Sequence, residues 1–207
     1  MGRWIWKGDQ MPFNHFDVIS GIYDRWRRFD SSHPLMEMLD LPDSGVILDI
    51  GGGTGRVARA LTGKGRRVVV IDISAGMLLK ARGKAGLVPL ISDSAALSFP
   101  AERIDRVLIV DALHHIKKQQ ETIDEICRLL KPGGVAVVVE PDLKALFVKF
   151  IVVLEFVLLM GSHFLKERDL LDLFERKAGQ VSSIVWRGNL IVKYIKDWWK
   201  NEKKPGK

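Results

Sequence analysis

The stretch Val46-Ile47-Leu48-Asp49-Ile50-Gly51-Gly52-Gly53-Thr54-Gly55 leaves its chain few ways to fold. A short β-prone run, an acid and then glycines at alternating positions describe a strand that ends in a tight turn. Gly51, Gly53 and Gly55 let the backbone bend sharply and approach a ligand that a Cβ would keep away. The strand places that turn at the carboxyl edge of a sheet. Residues Arg56 to Leu61 can then begin a helix whose free N–H groups face a nucleotide-type ligand.

A glycine-rich turn does not by itself choose the ligand. The dinucleotide fingerprint needs a small residue three positions after its second glycine. Gly51, Gly53 and Arg56 fail that test, and Gly53, Gly55 and Ala58 meet it loosely. Asp49 sits inside the turn, where it repels a diphosphate and welcomes an ammonium group. S-adenosylmethionine carries an amino group and a sulfonium where NAD carries phosphates. Residue 49 therefore favours the former, and an NAD-dependent oxidoreductase on a similar sheet is the alternative. A second β-prone run, Arg67 to Ile71, ends in Asp72, whose carboxylate can accept both ribose hydroxyls of either ligand. Ile73 and Met77 can flank an adenine ring, although Met77 can equally be core filler on a short helix.

Five segments in order carry a family resemblance. They are Asp-Ile-Gly-Gly-Gly-Thr-Gly at 49–55, Val-Ile-Asp-Ile-Ser at 70–74, Ser-Asp-Ser-Ala-Ala-Leu-Ser-Phe-Pro at 92–100, Asp-Arg-Val-Leu-Ile-Val-Asp-Ala-Leu-His-His-Ile at 105–116 and Leu-Leu-Lys-Pro-Gly-Gly at 129–134. Over roughly residues 10–196 the chain resembles the class I S-adenosylmethionine-dependent methyltransferases, within them the small-molecule group that includes the ubiquinone and menaquinone biosynthesis C-methyltransferases. The resemblance implies a Rossmann-like α/β fold, with a mainly parallel seven-stranded sheet, a C-terminal antiparallel hairpin and helices on both faces. It implies S-adenosylmethionine as cofactor, held by Asp49 and the turn residues Gly51, Gly53, Thr54 and Gly55. Asp72 would bind ribose and Asp93 the adenine amino group, with Ser94, Asp111 and Ala112 completing the contacts. Tyr23 resembles a tyrosine that approaches the cofactor from an N-terminal cap, while periodicity alone makes it a core-facing aromatic. The chain has Asp93-Ser94 and Ser98-Phe99 where the family commonly has Asp-Ala and a Pro before the Phe, and neither change removes a carboxylate.

At 207 residues and 47% apolar composition, one domain with a substantial core accommodates the whole chain. The pattern predicts strands at 46–50, 67–71, 87–91, 105–111 and 134–140, and helices at 55–63, 75–82 and 119–130, an alternation that builds a parallel sheet. Phe16, Ile19, Tyr23 and Trp26 share one helical face, and with a short helix around Leu35 to Leu39 they make a cap over 11–40. Leu170, Leu171, Phe174 and Ala178 form a helical face that stops at Gly179, and Val181–Trp186 and Leu190–Ile195 pair across Arg187-Gly188-Asn189 as a hairpin. The single cysteine, Cys127, lies on an apolar stripe with Ile123, Ile126 and Leu130 and reads as a buried small hydrophobe. The opening residues do not form a cleavable secretory segment, so the expected location is the cytoplasm, with contact to a membrane periphery as an option.

Residues 143–165 speak to the substrate. Ala145 to Met160 holds only Lys149 and Glu155 as charged residues, too short an apolar run for a membrane span and with Glu155 near its middle. It can be a lid over a pocket for a hydrophobic acceptor, a homodimer face or a membrane-surface helix; its place in the resembled fold favours the lid. The formal net charge is +7, and Lys193, Lys196, Lys200, Lys203, Lys204 and Lys207 crowd the end of the chain beside Trp198 and Trp199, with 197–207 as a basic tail. Such a tail either touches an anionic bilayer or is simply solvated. No stacking module, zinc-ligand cluster or Asn/Asp-Pro-Pro-aromatic motif accompanies that charge, so nucleic acid is not expected as a partner and a small molecule is. If the acceptor must lose a proton, His114 and His115 follow the fourth strand at the carboxyl edge, with His115 preferred for the pocket; His163 is a third candidate. All three can instead be structural, and no metal is expected.

Overall fold

The computed structural model describes residues 34–144 and 163–198. The N-terminal helical face with Tyr23, the apolar stretch 145–160 and residues 199–207 of the basic tail lie outside the described residues. Seven strands form one sheet: β1 (Gly45–Ile50), β2 (Arg66–Asp72), β3 (Leu87–Ile91), β4 (Ile104–Val110), β5 (Leu130–Pro141), β6 (Gly179–Trp186) and β7 (Asn189–Lys196). Their order is β3-β2-β1-β4-β5-β7-β6, with the first five parallel and β7 antiparallel to both β5 and β6. The helices are α1 (Leu35–Leu39), α2 (Ala58–Leu61), α3 (Ala75–Arg82), α4 (Gln119–Leu129) and α5 (Glu167–Asp172), with a 3₁₀ turn at Leu113–His115.

The apolar runs are continuous because the sheet is covered on both sides, and successive residues divide between two cores. Val69, Ile71, Val107, Ile109, Ala136 and Val138 pack under α4 and α5, with Ile123, Ile126, Leu129, Leu170 and Phe174 facing them. Their neighbours Val68, Val70, Leu108, Val135, Val137 and Val139 pack under α1, α2 and α3, with Leu35, Leu39, Ala58, Leu61, Leu78 and Ala81 opposite. One helix differs from the pattern. The expected helix over 55–63 is only Ala58–Leu61, because Gly55 holds φ +71 and a left-handed residue cannot lie inside a right-handed helix. Gly179 likewise does not end a helix. Helix α5 stops at Asp172, and Gly179 is captured as the first residue of β6 by pairing with Lys196. The hairpin closes in two residues, Arg187 (φ 47) and Gly188 (φ 77), a twist that matches flanking strands. Cys127 packs against the α4 core, and burial pushes its thiol up to about 11. Among the described residues no helix is long and apolar enough to cross a membrane.

Candidate functional site

The strand order reverses between β1, which is followed in space by β2, and β4, which lies on its other side. Chains leaving neighbouring strands there in opposite directions open a crevice beyond their carboxyl ends. A cavity of about 460 Å³ occupies it. Each parallel strand delivers an acid to this edge: Asp49 in β1, Asp72 at the end of β2, Asp93 after β3, Asp111 after β4 and Glu140 in β5. The first four line the cavity.

Asp49 is 1% exposed, and its Oδ2 has no hydrogen-bond partner among the described residues. Burial raises its carboxyl to about 7; the Arg56 charge and a hydrogen bond from the Ala58 backbone oppose that rise, and the Asp72 charge adds to it. The first N–H of α2 is therefore given to Asp49, and the cavity wall on this side is the turn itself, from Gly51 to Val57. That corrects the expectation that free helix N–H groups face the ligand. Two of its glycines are fixed by close approach. A Cβ on Gly51, which has φ +67, would lie 2.5 Å from the Ala112 Cβ across the β1–β4 crevice, and one on Gly52 would lie 2.5 Å from Asp49 Oδ2. Gly55 does not line the cavity; its side faces Leu87.

The second acid is braced for a ligand. Asp72 accepts from Gly53 N at 2.9 Å and Ser74 N at 2.8 Å, which couples the glycine turn to the start of α3. These two donors fix the carboxylate in place on the cavity wall. Ser74 caps α3 by accepting from Met77 N at 3.2 Å. Met77 is both buried and on the cavity wall, which reconciles its two readings, whereas Ile73 is 65% exposed at the rim, an apolar face for a ring to cover. Asp93 accepts from Ala95 N at 2.9 Å and lies 3.8 Å from Lys118 Nζ; Ser94 bonds Thr122 across α4 at 3.0 Å. Thr54, Asp111 and Ala112 also line the cavity, Asp111 with φ 52.

The three histidines separate. His115 lies on the cavity wall, and burial followed by the neighbouring His114 charge holds its imidazole down at about 3. It is neutral near pH 7 and a hydrogen-bond partner there, which differs from the sequence expectation of an imidazole poised near neutrality. His114 points away into the protein, where Nδ1 meets Glu140 Oε2 at 2.5 Å and the ring stacks on Phe164. His163 has an exposed side chain, does not line the cavity, and is tied by its backbone N–H to the His114 carbonyl at 2.6 Å. Sequence reasoning also passed over Arg56, Ile116, Lys117 and Lys118, which line the cavity. Glu140 could have been found, because it ends an apolar run as the other acids do.

A pocket built of a turn with no room for a Cβ at Gly51 or Gly52, a carboxylate braced at Asp72, and Asp49 Oδ2 buried without a partner among the described residues fits an aminoacyl nucleoside better than a dinucleotide diphosphate. A methyltransferase-domain family model matches residues 48–138. A ubiquinone/menaquinone biosynthesis C-methyltransferase, UbiE, of Hydrogenovibrio crunogenus is 33% identical over 135 residues, 60% of this chain and 51% of the relative. The protein of the same name in Pseudomonas entomophila is 36% identical with the same coverage. The chain thus spans about half the length of the curated relatives it matches. Among solved structures, a methyltransferase of Haloferax volcanii in complex with the Trm112 methyltransferase activator superposes with TM-score 0.73 at 20% identity, covering 90% of this chain and 100% of that one. A Thermotoga maritima protein described as an S-adenosylmethionine-dependent methyltransferase gives 0.71 at 22% identity, covering 88% and 98%. The chain therefore has the class I S-adenosylmethionine-dependent methyltransferase fold, with similarity to the UbiE-like C-methyltransferases.

Proposed function

We propose that the protein binds S-adenosylmethionine and transfers its methyl group to a small, apolar or aromatic acceptor. The observation that carries this reading is Asp49, a buried carboxylate on the cavity wall whose Oδ2 has no partner among the described residues. Leaving such an oxygen unpaired costs about 1–3 kcal/mol or more, which an ammonium group in the cavity returns. Asp72 would hold the ribose, Asp93 the adenine amino group, and Ile73 and Met77 the ring faces.

The bound cofactor supplies a methyl group already activated on a sulfonium, so the chain's task is alignment and exclusion of water. Residues 51–54 fix the backbone against the ligand, and Ala112 closes the opposite wall. His115, neutral in this site, can accept a hydrogen bond from an acceptor hydroxyl and orient it. Val110 and Ile116 give the same wall apolar surface, and the sequence 145–160 is almost uncharged; both support a quinone-precursor-like or lipid-like acceptor, in keeping with the names of the curated relatives. A second reading, a protein that keeps the cofactor without catalysis, is favoured by one observation: burial leaves His115 a weak base.

Parallel calorimetric titrations with S-adenosylmethionine, S-adenosylhomocysteine and NAD test the cofactor assignment. Micromolar binding of the first two and none of NAD is expected, and binding of NAD alone overturns it. Methyl transfer to hydroxylated quinone precursors, followed with labelled cofactor, then separates the enzyme from a binding protein.

A further inference from the structure

The cavity wall after β4 is a turn without a cap of its own. Asp111 has φ 52, and Ala112, which precedes the 3₁₀ turn Leu113–His115, has no side chain able to take the N–H groups that such a turn leaves open. An acid on the neighbouring strand takes them. Glu140 is 3% exposed, and its Oε1 accepts from Leu113 N at 2.8 Å and Ala112 N at 3.2 Å, while Oε2 meets His114 Nδ1 at 2.5 Å. One carboxylate from β5 thus holds three consecutive residues after β4.

The arrangement continues beyond the turn. The His114 ring stacks on Phe164 with centroids 4.5 Å apart and planes 13° from parallel, and the His114 carbonyl accepts from His163 N. Gln119 Nε2 donates to both the Leu113 and the His163 carbonyls, at 3.1 and 3.0 Å. Ala112, the first residue held, and His115, which follows the last, face the cavity, while Glu140 and His114 do not.

We infer that Glu140 is a positioning residue for ligand binding: acting as a cap supplied from the adjacent strand, it places Ala112 and His115 against the bound nucleoside without touching it. This rests on the proposed cofactor reading. A buried acceptor is costly when it lacks donors, and among the described residues those of Glu140 come from the wall it orders. The requirement is for an acceptor facing two backbone N–H groups. Glutamine satisfies that requirement with its amide oxygen; its NH₂ then faces Nδ1, and His114 takes the tautomer with the proton on Nε2.

The test compares Glu140→Leu, Glu140→Gln and wild type by calorimetric titration with S-adenosylhomocysteine, well below each variant's thermal midpoint. With two buried donors left unmet, Glu140→Leu is expected to bind about tenfold more weakly or worse, whereas Glu140→Gln stays within about threefold of wild type. A merely structural role lowers the midpoint of Glu140→Leu and leaves the affinity of the folded protein unchanged, and that result overturns the inference. So does Glu140→Gln falling as far as Glu140→Leu. If Glu140→Leu does not fold, Glu140→Asp, which draws the carboxylate back by one methylene, is expected to lose about fivefold, and unchanged affinity there also overturns it. Wild-type protein that binds neither sulfonium cofactor nor its product removes the cofactor reading itself, a different outcome from wild-type binding that the substitutions leave intact.

Discussion

Asp49 is held at about 7 by burial, so at neutral pH the folded protein strains to keep it charged. Its folded-state value lies above the unfolded one, so the folded state retains a proton that the unfolded chain has released. Stability from this group is full below about 4 and is lost as pH rises through about 7, a cost of roughly 4 kcal/mol at alkaline pH. Asp49→Asn is accordingly expected to raise the thermal midpoint by several degrees at pH 8 and to leave it little changed at pH 4, measured by calorimetric scanning. The same substitution removes the partner for the cofactor's ammonium group, and affinity for S-adenosylhomocysteine should fall at least about tenfold. In wild type, binding requires the charged carboxylate; affinity should drop roughly eightfold from pH 7.5 to pH 6 with uptake of a proton from the site by buffer, and Asp49→Asn should flatten that profile. Asp49, Asp72 and Asp93 were legible because an acid that ends an apolar strand announces the sheet's carboxyl edge. Alternation along the chain already favoured His115 over His114 for the cavity, where His115 lies, but the anchorage of His114 was not legible. It depends on a 3₁₀ turn and on Glu140, a partner 26 residues away that no local pattern connects to either ring.

At the level of elements, the turn after β1 meets the turn after β4 with no room for an added side chain. Gly51→Ala places a Cβ 2.5 Å from the Ala112 Cβ and adds the strain of φ +67, so it should lower the thermal midpoint and weaken cofactor binding at least about tenfold. Adding Ala112→Gly restores the spacing but not the backbone strain of about 1–2 kcal/mol; binding should recover in the double variant more fully than stability. At the far hairpin, Gly188→Ala at φ 77 should cost about 1 kcal/mol by denaturant unfolding with cofactor affinity unchanged. The strands were readable from their composition because burial on two faces demands unbroken apolar runs, and β3 spans the predicted residues 87–91. The helix after β1 was overestimated because composition does not reveal which glycine adopts a left-handed conformation. Gly179 was misassigned for a related reason: glycine ends helices often, but pairing with β7 decided its place.

Over the whole molecule, β5 runs from one edge of the sheet to the other, roughly 20 Å from Val135 to Pro141, and β7 returns antiparallel to it. The chain therefore enters the apolar stretch at 145 from the carboxyl edge, beside the cavity, and reaches the basic tail from the amino edge, where Trp198 lies 74% exposed over Gly133. Removing residues 199–207 is expected to leave S-adenosylhomocysteine affinity within about twofold of wild type, by titration, since substitutions remote from a site act independently. At the amino edge Lys131 and Lys196 pair with Asp105 and Glu102 at 2.7 and 3.2 Å, whereas at the other end of the strands Asp49, Asp72, Asp93 and Asp111 line the cavity with Arg56, Lys117 and Lys118 among them. A cationic ligand entering the crevice thus meets several carboxylates gathered at one sheet edge, a local field that reaches roughly 8 Å beyond the opening at physiological salt.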